Sequence, residues 1–366
     1  MVLPSVVQFP KRRGFSGATI PSASSLALVA PRTRRVLDSA IMSVATDLQQ
    51  LYRPIDTEIA EVRRLMSDLW DEVLGIVDPG ARSDTAVGGK LLRPAMCLLS
   101  SGAIGAPRPA DFVPMAAAME MFHLAALAHD DVIDGANLRR GSISLNAMWS
   151  DHAAVLGGDY LVARGITVLA SYGSCELVTH AIDCIRIMAE GELAHFGRGP
   201  DHHSEEACLA LVRAKTASLF AVSCSTPCFV AADSYRDALY AYGEAVGMAF
   251  QLVDDLLDLR QDETVLGKPS CGDIVEGKKT IPILYMRNAL DEAGTRRLDA
   301  LRGRTLDPDE RAWVADMLEE TGAATSTERM ARTYIDKARR SLADLPPGPL
   351  LDSLHGLAEF VLVRGS

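Results

Sequence analysis

Apolar residues recur at i, i+3 and i+4 in one segment after another, and no convincing period-2 alternation interrupts them, so the pattern predicts helices. From Ala45 to Val77 the run LxxLYxPIxxxIxxVxxLMxxLW puts its apolar positions on one stripe, with charged residues opposite, and Asp78, Pro79 and Gly80 stop it. Next come GGKLLRP, an Ala/Met/Leu helix to about Ile104, a Gly/Pro loop, and a long apolar helix from about Ala110 to His129. Further helices are expected at about 152–171, 176–196, 204–230, 234–260, 280–292, 307–321, 325–343 and 348–362. The one long loop after residue 45 is 261–279, a functional lid or a disordered segment by its length, and its Gly- and Lys-rich composition favours a lid. There is no internal repeat, so one all-α domain over 45–366 is the expectation.

Composition supports this without choosing a function. The 366 residues are 48% apolar and 5% aromatic, enough for one large core, and the scarcity of β-branched and aromatic residues beside abundant Ala and Leu favours helix. Residues 1–37 carry no acid and six basic residues among many Ser, Ala and Pro. Residues 1–44 are therefore expected to be a disordered or targeting-like extension, with Met42 a natural beginning.

The net charge of −11 argues against a general attraction for nucleic acid or an anionic membrane, so an anionic substrate would need local cations. Seven cysteines lie singly without zinc spacing, which fits a reducing, cytoplasmic setting. No apolar run is read as reaching the roughly 18 residues of a membrane span, so no transmembrane segment is expected.

Two aspartate clusters carry the chemistry. Asp130, Asp131 and Asp134 end one apolar helix, with Asp130 and Asp134 one turn apart on a face, where two carboxylates repel unless a cation intervenes. Asp254, Asp255 and Asp258 repeat the spacing within FQLVDDLLDL, whose apolar flanks predict burial and so require compensation by metal or protons. Oxygen-only ligation by hard carboxylates suits Mg2+, which completes its shell with water and phosphate. Cations surround the aspartates in sequence. Lys90 and Arg93 stand at a Gly-rich break entering a helix, Arg139 and Arg140 follow the first cluster, Lys215 with Thr216 interrupts an apolar helix, and Lys268, Lys278 and Lys279 lie in the 261–279 loop. The break is not a Walker loop.

In this order, GGKLLRP, EMFHLAALAHDDVID, RRG, KTASLF, FQLVDDLLD and GKPSCGDIVEGKKTIP resemble the trans-isoprenyl (polyprenyl) diphosphate synthases from about residue 45 to 366. The resemblance implies an all-α isoprenoid synthase-type bundle with a central cavity, a homodimer, and condensation of an allylic diphosphate with isopentenyl diphosphate. It implies that the six aspartates bind Mg2+, and that Lys90, Arg93, His123 and Arg140 hold isopentenyl diphosphate. Arg139, Lys215 and Lys268 would grip the allylic diphosphate, Lys278 would assist in substrate binding, and Thr216 and Gln251 would lie beside the reacting carbons. His123 on its own reads as an ordinary packed helix histidine.

Where the family carries bulky aromatics to stop growth at farnesyl length, this chain has Ala125 and Ala126, with Met121 and Phe122 one turn deeper. That implies a long-chain product of the kind used for quinone side chains, with geranylgeranyl diphosphate as the alternative. A departure is Gly191, Glu192 and His195 where the family commonly has GExxQ, and no role is assigned there. A class I terpene cyclase would usually mix Asn, Ser and Glu in the second motif, and a non-catalytic subunit of a heteromeric synthase would have lost aspartates or cations.

Overall fold

The structure is a computed structural model that describes residues 48–77, 89–106, 108–135, 138–139, 142–143, 150–197, 204–231, 233–260 and 270–363. The expected extension over residues 1–44 lies outside the described residues. The helices are α1 (Asp56–Val77), α2 (Leu92–Ala103), α3 (Val113–Ile133), α4 (Asp151–Ala170), α5 (Cys175–Gly197), α6 (Glu205–Val212), α7 (Ser218–Ser225) and α8 (Arg236–Arg260). They continue as α9 (Gly272–Val275), α10 (Ile281–Ala289), α11 (Glu292–Asp299), α12 (Pro308–Glu320), α13 (Ala323–Ser341) and α14 (Pro349–Val363). An antiparallel ribbon of two residues per strand, β1 (Leu138–Arg139) with β2 (Ser142–Ile143), follows α3.

Local chemistry sets the helix starts. The side chains of Ser150, Ser204 and Asp291 accept hydrogen bonds from the first-turn amides of α4, α6 and α11, and Asp307 with Glu310 forms a capping box at α12. Pro54, which has no amide hydrogen to donate, falls in a short 3-10 turn over Arg53–Ile55, so the first predicted helix is divided there. The segment predicted as one helix over 204–230 is also divided. A π-helical turn over Arg213–Ala217 separates α6 from α7, and a 3-10 turn over Thr226–Phe229 ends it.

Two helices form the axis of the core. α3 packs chiefly on α4 and α2, and α8 packs on α13, α7 and the π turn. α8 approaches closely because its own Gly243 and Gly247 face α7 and the π turn: a Cβ at Gly247 would lie 2.6 Å from Ala217 Cα, and one at Gly243 would collide with the Phe220 carbonyl.

Two readings of the sequence need correction. Residues 270–279, expected as loop, contain α9 and are tied to α8 through the backbone amide of Cys271, which donates to the Asp258 carbonyl at 2.7 Å; residues 261–269 lie outside the described residues. Among the described residues three stretches, Pro109–Ile133, Asp151–Ala170 and Glu205–Phe229, are long and apolar enough to span a membrane, contrary to the expectation of no such run. In the first and third most of the apolar window is buried inside the protein, 67% and 61%, as expected of core helices that are apolar nearly all round. In Asp151–Ala170 only 28% is buried, so α4 presents an apolar outer face.

Candidate active site

α3 and α8 each carry a partly exposed stripe through an otherwise buried helix. On α3 it is His123, Ala126, Leu127 and Asp130, at i, i+3, i+4 and i+7; on α8 it includes Gln251, Asp254 and Leu257. Each stripe is the partly exposed face of a mostly buried helix and runs to its aspartate cluster, so it can line the path of a bound substrate.

The second cluster is held from three sides. Asp255 and Asp258 are buried at 3% and 4% exposure, as the apolar flanks predict. Gln251 Nε2 donates to Asp255 Oδ1 at 2.7 Å, and the Thr216 hydroxyl donates to Gln251 Oε1 at 2.8 Å. The Asp273 amide donates to Asp258 Oδ2 at 2.9 Å. Cys271, at φ +63°, takes a left-handed conformation unusual for a side chain with a Cβ, and this turn brings α9 back onto Asp258.

The first cluster ends α3, with Asp131 buried and Asp134 in the C-cap position, its amide donating to the Asp130 carbonyl at 2.8 Å. Lys215 Nζ lies 3.1 Å from Asp130 Oδ1 and 2.5 Å from Glu192 Oε1 of α5. Lys278 Nζ lies 2.5 Å from Glu276, 3.6 Å from Asp134 and 3.8 Å from Asp273. Both lysines therefore reach the first cluster, Lys215 from the π turn and Lys278 from the segment anchored to Asp258.

The π turn gives the arrangement its logic. Consecutive residues on a helical turn point to different sides, so Lys215 reaches the first cluster while its neighbour Thr216 reaches Gln251 and the second. Gly191 of α5 clears the way, since a Cβ there would lie 2.5 Å from Ala214 Cβ in the same turn.

The electrostatics are those of a charged site partly withdrawn from water. Burial, then the neighbouring Asp273 carboxylate, pushes the Asp255 carboxyl well above the usual carboxylate range. Burial raises Asp130 too, against the opposing pull of Lys215. Burial works against the Lys215 ammonium, but Asp130 and Glu192 outweigh it and raise its pKa. Asp255 Oδ2 is buried and accepts no hydrogen bond, a costly position for a carboxylate oxygen unless something cationic meets it. Among the described residues no group of three His, Cys, Asp or Glu side chains forms a ready-made cage, so a cation here would complete its shell with other oxygens.

Two of the residues predicted for isopentenyl diphosphate, Lys90 and Arg93, lie at the start of α2. Arg93, 9% exposed, stacks its guanidinium 4.4 Å from the centre of the Phe220 ring, and Phe220 packs at 5.2 Å on Phe250, the residue before Gln251. Lys90 Nζ stands 5.5 Å from the Phe360 ring, and its carbonyl accepts from the Tyr52 hydroxyl at 2.7 Å. His123 is half-buried on the interior stripe. Ala125 is buried, whereas Ala126 lies on the stripe; Met121 and Phe122 are buried. Arg139 pairs in β1 by its backbone alone, and Arg140, Lys268 and the side chain of Arg139 lie outside the described residues.

Glu192, Asp273 and Glu276 are functional candidates that the sequence reading passed over. The signal for Glu192 was present, a glutamate directly after a glycine on an amphipathic helix, but its partner Lys215 is distant in sequence and only the fold joins them.

Two carboxylate clusters in a helical bundle, the first met by Lys215 and Lys278 and the second tied to the π turn through Gln251 and Thr216, define the class of the isoprenoid synthases, and known proteins agree. A family model described as Polyprenyl synthetase matches residues 81–319. The chain is 33% identical over 292 residues to octaprenyl diphosphate synthase of Escherichia coli, covering 76% of this chain and 86% of that protein. It is 31% identical over 333 residues to short chain isoprenyl diphosphate synthase of Methanothermobacter thermautotrophicus, covering 88% and 99%. The fold matches that of a polyprenyl synthase from Caulobacter crescentus, solved with calcium and isoprenyl diphosphate, at a TM-score of 0.78 and 31% identity over 87% of this chain and 98% of that one. The chain belongs to the polyprenyl synthetase family of prenyltransferases.

Proposed function

We propose that this protein condenses an allylic diphosphate with isopentenyl diphosphate to make a long-chain polyprenyl diphosphate, with residues 45–366 as the catalytic domain. The observation that carries this reading is the π turn placing Lys215 on one aspartate cluster and Thr216 on the other's Gln251. Asp130, Asp131, Asp134, Asp254, Asp255 and Asp258 would hold Mg2+, a choice supported by their all-oxygen donor set and by the bare, buried Oδ2 of Asp255. When bound, the ion supplies positive charge to the diphosphate oxygens and so favours ionisation of the allylic C–O bond.

The chain's own groups do the rest. Lys215 and Lys278, with Arg139 and Lys268, hold the allylic diphosphate and stabilise it as a leaving group. Lys90, Arg93, His123 and Arg140 hold isopentenyl diphosphate, whose double bond is the nucleophile. Because the Thr216 hydroxyl hydrogen is engaged by Gln251, the oxygen's lone pairs remain to face a developing carbocation. The apolar walls exclude water from that cation. The released diphosphate takes the proton, so no side-chain base is assigned. Small residues at 125 and 126 support continued growth, and the relatives' names cover both short-chain and octaprenyl products.

The test is incubation of the purified protein with labelled isopentenyl diphosphate, Mg2+ and farnesyl or geranylgeranyl diphosphate, followed by dephosphorylation and measurement of product length. Absence of incorporation sinks the reading.

A homodimer fits the outer surface of α4 and α5, where Leu156 and Leu193 are 67% and 70% exposed and Val155 and Ile182 are also exposed. Leu156→Glu combined with Leu193→Glu is expected to halve the solution mass by light scattering; an unchanged mass would place the interface elsewhere. A reducing cytoplasmic setting is proposed from seven cysteines that form no disulfide, six of them buried.

A further inference from the structure

The seam between α3 and α4 is built on two notches. Phe122 and His129 stand seven residues apart on α3, and Gly165 and Gly158 stand seven apart on α4. A Cβ at Gly158 would collide with the His129 ring, and one at Gly165 would lie 2.6 Å from Phe122 Cε1 and 2.9 Å from its Cζ. Two helical turns separate the members of each pair, so the antiparallel helices bring both rings into register with both glycines.

The notches differ in what fixes their rings. His129 Nε2 lies 3.2 Å from the Val155 carbonyl and 3.5 Å from Asp159, so polar contacts orient it next to the first aspartate cluster. The Phe122 ring, 3% exposed, is described by packing alone. It lies off the stripe formed by His123, Ala126, Leu127 and Asp130. The bulky side chain one turn below the alanine pair is therefore seated in α4 rather than across the interior space beneath Asp130.

The geometry points to Gly165 as a determinant of product length: its missing side chain gives the Phe122 ring a place outside the growth path. This rests on the reading of the site as a chain-elongating synthase. Any Cβ at 165 must displace an aromatic ring in a close-packed seam, and Phe122 stands one turn from Ala126, so a ring that leaves the notch turns toward the stripe.

The test compares wild type, Gly165→Ala, Phe122→Ala, the double variant and Phe122→Trp in the labelled-product assay, with helicity checked by circular dichroism. Gly165→Ala is expected to shorten the main product by at least one isoprene unit. Phe122→Ala alone should not shorten it, and the double variant should return to the Phe122→Ala length, because the displaced ring is gone. Phe122→Trp, a ring too large for the notch, should shorten the product with Gly165 intact, and it carries the test if Gly165→Ala does not fold. Wild-type product length in a folded Gly165→Ala or Phe122→Trp, or a double variant as short as Gly165→Ala, overturns the proposal. No incorporation by wild type overturns the synthase reading and this proposal with it, whereas wild-type incorporation with unaltered lengths in the variants overturns only the role of Gly165.

Discussion

Asp255→Asn is expected to lower turnover by at least about a hundredfold, the scale of removing a principal charge-stabilising group, while the metal-free protein unfolds at the same or a higher temperature. The two halves of this result come from the same burial. Asparagine keeps the shape and an Oδ1 that can accept from Gln251 Nε2, and its amide hydrogens can donate to the surrounding carboxylates where aspartate places a second oxygen without a hydrogen bond. The aspartate's carboxyl is pushed up by burial and then by Asp273, so the folded protein binds that proton more tightly than the unfolded chain. Its contribution to stability is fully present below the unfolded carboxyl's pKa of about 4 and is lost as pH rises through the raised folded value. At neutral pH the wild-type carboxylate thus weakens the metal-free fold, and the variant removes that cost.

Adding Mg2+ with inorganic diphosphate should reverse the order, raising the melting temperature of wild type more than that of Asp255→Asn, because a ligand that binds only the folded state stabilises it in proportion to its affinity. Scanning fluorimetry with and without the two ions checks this. Equal shifts in both proteins would show that Asp255 does not hold the cation.

How far the sequence disclosed this site follows from the range of each interaction. The helices were legible because their apolar stripes are local, and the second cluster's burial was legible because Leu252, Val253, Leu256 and Leu259 adjoin it. The pairing of Lys215 with Glu192 was not, since the two belong to different helices and neither carries a local mark of its partner. The π turn escaped for another reason: KTASLF continues an apolar helical pattern, and the widening at Arg213–Ala217 is a tertiary accommodation to α5 and α8. α11 was missed because its short, strongly charged sequence, EAGTRRLD, gives little apolar periodicity while burying Leu298. The three membrane-length apolar stretches include α3, whose sequence is apolar nearly all round because other helices cover it, and α4, whose apolar window is covered far less. The resemblance to a family supplied the roles of the aspartates; the structure supplied which aspartate of the first cluster each lysine meets.

Ala126→Phe is expected to shorten the main product by several isoprene units, the largest change in product that a single substitution here should cause. The sequence treats Ala125 and Ala126 alike, four and five residues before Asp130, but the fold separates them. Ala126 lies on the interior stripe directly one turn below Asp130, and a phenyl group there would stand in the path of a chain growing away from the metal cluster. Ala125, 1% exposed, lies one turn from Phe122 and from His129, both seated on α4, so a phenyl group there must first displace packed neighbours. Overpacking of that kind costs about 1–3 kcal/mol, so Ala125→Phe should lower the melting temperature by several degrees as well as shorten the product, and Ala126→Phe should shorten it with little loss of stability. Product length by chromatography after dephosphorylation, measured beside thermal unfolding, separates the two positions. An unchanged length distribution in Ala126→Phe would remove α3 from the wall of the growth path, and equal melting temperatures in the two variants would show that Ala125 is not the more tightly packed of the pair.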